Sequence, residues 1–126
     1  VVVGTGIHMG QVHRDMLAFV KRHRQALSQV PVAYFVVCLT MTEDTEKNRR
    51  EAEGYLDKVR QKVPEVQPVD VGLLAGAVLT EGEDYDKLSW LMRQMVKAMS
   101  KEAGDHRDWD AIRNWATGLR LALLKM

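Results

Sequence analysis

One cysteine, three prolines, no long apolar run and almost no net charge are what this sequence has little of, and each scarcity excludes something. A single Cys38 rules out an intrachain disulfide, so the fold relies on its core and suits a reducing cytosol. No segment approaches the roughly 18 to 20 consecutive apolar residues of a membrane span, and no signal peptide is visible, which limits membrane contact to the periphery. Eighteen basic residues against seventeen acidic leave a formal charge of +1. Phosphate neutralisation needs a basic excess gathered on one face, so nucleic acid is not an expected partner, and the balance also argues against a strongly acidic electron shuttle. Repeats and low-complexity tracts are absent. What is there is 126 residues, 46% apolar and 28% charged, the make-up of one ordinary globular domain.

The chain opens in a strand. Val1-Val2-Val3 precede Gly4-Thr5-Gly6-Ile7-His8-Met9-Gly10, and β-branched residues followed by a Gly-rich loop and a helical pattern read as strand, loop, helix. Val12, Met16, Phe19, Val20 and Leu27 recur at helical spacing with Arg14, Lys21, Arg22 and Arg24 opposite, predicting a helix over about 13–28. Pro31 ends it. Val32 to Leu39 is an almost unbroken apolar run, the pattern of a strand covered on both faces in a parallel sheet. Thr40-Met41-Thr42-Glu43-Asp44 reads as a second strand-to-helix loop with Thr42 or Asp44 as N-cap, and Ala52, Leu56, Val59 and Val63 mark the helix after it. Beyond the break at Pro64 and Pro68, Val69 to Leu79 supplies a third strand, in which Gly72 and Gly76 imply that a helix or ligand comes close to the backbone. Thr80 to Asp84 is a short acidic loop, after which Leu88, Leu91, Met92, Met95 and Met99 share one helical face. A last helix, capped by Asp105 or Asp108, carries Trp109, Ile112, Trp115, Ala116, Leu119 and Leu123. The order βαβαβα plus one helix predicts a three-layer α/β fold over residues 1–126, a parallel sheet with helices on both faces.

In such a sheet the carboxyl ends of the strands line one edge, so the loops Thr5 to Gly10 and Thr40 to Asp44 can hold a planar ligand between them. Their contents suit a ring better than a phosphate. Gly4, Gly6 and Gly10 admit close backbone approach, Ile7 and Met9 can flank an aromatic system, and Thr5, His8 and backbone amides can reach heteroatoms. The structural alternative is that these glycines only make a tight turn. A dinucleotide site is a third reading: Gly4-Thr5-Gly6 follows a strand, but the next glycine comes one residue late, and Cys38-Leu39-Thr40 lacks the acid that holds a ribose. Cys38, with no basic neighbour in sequence, reads as a small buried hydrophobe. His8, His13, His23 and His106 lack companions at ligand spacing, so no metal is expected, and His8 is cast as a donor beside a ring or as a surface residue. The methionine stripe, flanked by Arg93, Lys97 and Lys101, reads as packing on the sheet, with a partner or membrane surface as the alternative. Trp109 and Trp115 are expected in the core. No carboxylate pair or Ser/His/Asp set supports a hydrolase, and no catalytic side chain is assigned.

Read together and in order, Val1 to His13, Phe35 to Thr40, Ala75 to Leu79 and Gly104 to Trp109 resemble the flavodoxin-like domain family that includes menaquinone-dependent protoporphyrinogen dehydrogenase. The resemblance covers nearly the whole chain. It implies an FMN-binding flavodoxin-like fold in which these residues supply strands three, four and five of a five-stranded parallel sheet. It places Thr5, Gly6, Ile7, His8, Met9 and Gly10 against one side of the flavin ring, and Leu39, Thr40 and Met41 against the other. The chemistry it implies is flavin oxidoreduction in the cytoplasm, with a porphyrinogen or quinone-type small molecule as partner. The family's first strand, Ser/Thr-rich phosphate loop, first helix and second strand have no counterpart here, and that loop supplies the amides that anchor the FMN phosphate. An apolar edge at Val1-Val2-Val3 is therefore expected to be covered by a missing N-terminal segment or by another copy in a homo-oligomer. The functional alternative is a truncated interaction or structural domain on the same scaffold that does not bind flavin.

Overall fold

The computed structural model describes residues 1–78, 86–98 and 104–124. Its centre is a sheet of order β2-β1-β3-β4, built from β1 (Val2–His8), β2 (Gln11–Val12), β3 (Ala33–Cys38) and β4 (Asp70–Ala75). β1, β3 and β4 run parallel, with Val3 opposite Tyr34 and Tyr34 opposite Val71. The expected parallel α/β architecture is present. The first segment differs from its reading, however: Gly4 to His8 continue the strand, and β2 returns antiparallel beside its end, pairing Val12 with Ile7. Met9 and Gly10 between them have φ of 53° and 75°, so the turn is the left-handed two-residue kind whose twist matches the flanking strands.

One face of the sheet is covered by α1 (Arg14–Arg22), α2 (Arg24–Leu27), α3 (Glu46–Gly54) and α4 (Asp57–Lys62). Val3, Tyr34, Val36 and Cys38 from the strands meet Met16, Leu17, Val20, Ala52, Leu56 and Val59 from the helical side in one continuous core. The helix expected over 13–28 breaks at His23, whose backbone turns out of the helical region (φ −108°, ψ 17°) while its ring packs on Phe19 with centroids 4.7 Å apart. α3 is capped by Thr45, which accepts the Asn48 amide N–H at 3.1 Å, rather than by Thr42 or Asp44. The reason is local: Thr42 belongs to a 3₁₀ turn (Leu39–Thr42), and the Asp44 carboxylate is taken by Arg49 through hydrogen bonds of 2.5 and 2.7 Å.

The other face is organised by aromatics. Gly4, Phe35 and Gly72 occupy one rung across β1, β3 and β4. A Cβ at Gly4 would fall 1.9 Å from Phe35 Cζ, and one at Gly72 would fall 2.6 Å from Trp115 Cε2. Phe35 and Trp115 meet edge-on, 5.9 Å between centroids, so the two glycines are seats for two rings. The close approach read from Gly72 is thus a helix, not a ligand. That helix is α6 (Trp109–Leu124); α5 (Trp90–Ala98) precedes it. Asp108 is the cap of α6, its Oδ1 accepting the Ala111 N–H at 3.0 Å, whereas Asp105 is bound to Arg107. Trp109 departs from expectation: half its surface is exposed, and the Arg107 guanidinium lies 5.4 Å from its ring. β4 stops at Ala75, short of the expected strand end, and β5 (Ala77–Val78) pairs antiparallel with β6 (Gly104–Asp105). Leu79, Met99, Lys101 and the loop Thr80 to Asp84 lie outside the described residues.

Candidate functional site

The carboxyl ends of β1 and β3 lie side by side, and the turns leaving them form the walls of a cavity of about 270 Å³. From the β1–β2 turn come Ile7, His8, Met9 and Gly10, and from the end of β3 and the 3₁₀ turn come Cys38, Leu39 and Thr40. Tyr55, at the end of α3, and Met92 and Met95 of α5 complete it. Sulfur and aliphatic groups line most of the surface, and His8, Thr40 and Tyr55 supply polar points, which is the chemistry of a site for a flat, polarisable ring with a few heteroatoms. Met9 is 79% exposed on this turn, on a backbone that non-glycine residues rarely adopt.

Six of the residues expected against a ring, Ile7, His8, Met9, Gly10, Leu39 and Thr40, are therefore brought together. Three are elsewhere. Thr5 and Gly6 lie within β1 and border a separate groove of about 470 Å³ along the outer edge of that strand, with Val2 and Phe19. The Thr5 hydroxyl accepts the His13 N–H at 3.0 Å and donates to the Gly6 carbonyl at 2.7 Å, tying the start of α1 to the strand. Met41 is buried in the core, 8% exposed, where its backbone hydrogen-bonds the Cys38 thiol. Burial pushes that thiol up from its ordinary value, against hydrogen bonds from Met41 and Thr40 that lower it. Cys38 is thus both the packed residue expected and a wall of the cavity.

A second, polar cavity of about 370 Å³ adjoins the first and shares Leu39 and Thr40 with it. Thr42, Glu43, Asn48, Glu51 and His106 line the rest. His106 is far away in sequence and arrives through the β5–β6 pair, where its N–H bonds the Gly76 carbonyl at 3.0 Å. Between the cavities runs a short polar chain: Thr40 Oγ1 is 2.9 Å from Tyr55 Oη, which donates to Glu51 Oε1 at 3.3 Å. Nothing in the pattern around Tyr55 or His106 marked them for this place. Tyr55 follows a stretch that reads only as an amphipathic helix, and His106 depends on an unforeseen strand pair. Met92 and Met95 did carry a signal, the stripe attributed to packing. Among the described residues no group of three or more His, Cys, Asp or Glu is arranged to hold a metal ion.

A family model described as a flavodoxin domain matches residues 1–110. The chain belongs to the flavodoxin-domain family. Among curated proteins it is similar to the protoporphyrinogen IX dehydrogenase (quinone) of Escherichia coli K12, 27% identical over 125 residues, a match covering 92% of this chain and 65% of that protein. It is similar also to the protein of the same name from Leishmania major, 27% identical over 126 residues, covering 93% of this chain and 52% of that one. The chain thus spans between half and two thirds of the length of these relatives. No solved structure matches it. For a flavodoxin-domain sheet, the carboxyl edge of the parallel strands is where the doubly wound architecture places ligands, and the cavity between β1 and β3 stands there.

Proposed function

We propose that this chain is an FMN-dependent redox domain whose cavity between the β1–β2 turn and Leu39–Thr40 receives the flavin ring, and that it dehydrogenates a porphyrinogen-type donor with a quinone-type acceptor. The observation that carries the reading is the convergence of two turns, one from each neighbouring parallel strand, on one sulfur-lined cavity in a flavodoxin-domain chain. The residues fit the ring: Ile7, Met9, Leu39, Met92 and Met95 offer apolar and polarisable surface, while His8, Thr40 and Tyr55 offer hydrogen bonds. Bound FMN would supply the electron chemistry, and the protein contributes orientation, desolvation and hydrogen bonding. Cys38, its thiol held up by burial, keeps its proton and acts as wall rather than nucleophile. The names of the curated relatives support the donor and acceptor classes.

Among the described residues the lining holds neither lysine nor arginine, so none of them gives the phosphate of FMN a cationic partner in this cavity. The ring therefore carries the affinity, and FMN and riboflavin are expected to bind this chain alike. The reading also gives the outer edge of β1 from Val2 to Gly6, which no described strand pairs, a neighbouring strand in the working protein, from another copy or another segment. It places the domain in the cytoplasm with at most peripheral membrane contact; no helix among the described residues is long and apolar enough to cross a membrane.

The test is a visible absorbance and fluorescence titration of the chain with FMN and with riboflavin. A resolved, red-shifted flavin band with quenched emission for both supports the reading. Unchanged spectra at high ligand concentration overturn it and leave the interaction domain as the better account.

A further inference from the structure

We infer that Thr40, Tyr55 and Glu51 form a proton relay leading from the ring-side cavity to the polar cavity beside it. The inference rests on the redox reading above and adds a route for the protons that dehydrogenation releases.

The polarity of the chain follows from its last member. A carboxylate can only accept hydrogen bonds, so the contact of 3.3 Å between Tyr55 and Glu51 fixes the tyrosine as donor there. The phenol oxygen is then the acceptor for Thr40, whose hydroxyl donates across 2.9 Å. Thr40 lines the ring-side cavity and has given away its only proton, so what it offers an occupant is a lone pair. The Cys38 sulfur, also in hydrogen-bond contact with Thr40, stands beside this oxygen, its thiol raised from the ordinary value by burial. One end of the chain thus presents a proton acceptor where a donor molecule would lie, and the other ends on a carboxylate in the polar cavity that Glu43 and His106 also line.

The step balances. A porphyrinogen-type donor losing two electrons and two protons passes both electrons and one proton to the flavin ring, which is the oxidant. The second proton moves to Thr40 Oγ1, the Thr40 proton to Tyr55 Oη, and the Tyr55 proton to Glu51 Oε1. Each hydroxyl ends with the one proton it began with, and Glu51 returns its proton to water through the polar cavity. Thr40 is the member that meets the occupant; Tyr55 and Glu51 act through it. Charged and titratable groups lining the two cavities beside the relay are Glu43 and His106 in the polar cavity and His8 and Cys38 in the ring-side cavity.

Two measurements on the 126-residue chain test this. The first needs no flavin: with tyrosine labelled at Cζ with carbon-13, the Tyr55 resonance, assigned through Tyr55→Phe, is followed on acidification. It is expected to move as Glu51 takes up its proton and to lose that movement in Glu51→Gln; a resonance indifferent to Glu51 overturns the relay. The second follows reduction of bound FMN by protoporphyrinogen IX in H₂O and D₂O. At saturating FMN, Tyr55→Phe is expected to be reduced about 100-fold more slowly, the low end of a positioned proton transfer. Glu51→Gln is expected to shift the pH profile, and Thr40→Ser to keep most of the rate that Thr40→Val loses. FMN binding with an unchanged rate and isotope effect in Tyr55→Phe and Glu51→Gln overturns the relay and leaves the redox reading standing. Absence of FMN binding in the unsubstituted chain overturns the redox reading, and the relay toward that ring falls with it.

Discussion

Phe35 lays its ring across Gly4, its rung partner on the neighbouring strand, where a Cβ would fall 1.9 Å from Cζ. The rung is completed by Gly72 under Trp115, so one row of the sheet carries no side chain on either side of its phenylalanine. Overpacking at such a seat costs about 1 to 3 kcal/mol. Gly4→Ala and Gly72→Ala are expected to lose that much in urea unfolding. Gly6→Ala, whose added carbon meets nothing within 4 Å, is expected to stay within about 0.5 kcal/mol of the parent. Equal losses at all three positions would mean that strand glycine itself, and not the aromatic seat, sets the cost.

Met9 is held at φ 53°, where an asparagine or glycine would sit at less cost. Met9→Asn should therefore stabilise the chain by about 1 kcal/mol. The same substitution removes a polarisable wall of the ring-side cavity and should weaken FMN. Opposite signs in a thermal melt and a flavin titration are the expected pair, and a variant that loses both stability and affinity would refute the trade.

The Tyr34 side chain is fully buried, and its hydroxyl has no hydrogen-bond partner among the described residues. Burial raises this phenol from its ordinary value, against a smaller lowering by Arg60. Removing an unsatisfied buried polar atom without changing shape is close to neutral or favourable. Tyr34→Phe should unfold at the same or higher urea concentration, whereas a loss above about 1 kcal/mol would show that the hydroxyl is satisfied after all.

Asp105 is gripped by Arg107 through hydrogen bonds from the side chain and the backbone, which hold its carboxyl at about 2 instead of 3.8. A depressed carboxyl stabilises the fold above its unfolded value and loses that contribution as pH falls toward its folded value. The window is therefore from above pH 3.8 down to about pH 2. The Asp105 side chain is exposed, so the effect is small and salt-sensitive. Asp105→Asn should flatten the acid limb of the urea midpoint against pH at low salt and leave the neutral limb nearly unchanged in slope.

Much of the architecture could be read in advance because its causes are local. The apolar run ending at Cys38 has no polar alternation, and only a strand covered on both faces tolerates that. Ala52, Leu56 and Val59 lie on one helical stripe whether or not the helix is continuous, so the split after Gly54 left the buried set intact. That the two turns meet was partly legible, since Ile7 to Gly10 and Leu39–Thr40 line one cavity. What stayed hidden depends on register. Gly4 looks like a binding loop until Phe35 is seen to be its neighbour, and Thr5 looks like a ligand contact until His13 claims its oxygen. Tyr55 meets Thr40 across fifteen residues, and His106 arrives through a two-residue strand pair, distances over which no periodicity carries information.

The hairpin that closes β1 has one more effect. Because β2 takes up the strand's outer side at Ile7 and His8, the stretch of that side that no other described strand pairs, Val2 to Gly6 in β1, ends at the hairpin. At about 3.3 Å per residue this is a berth of roughly 16 Å, shut at one end by the returning chain. Any strand that moors there meets the returning chain at Ile7, so how far it can slide toward that end is limited before a single side chain is compared.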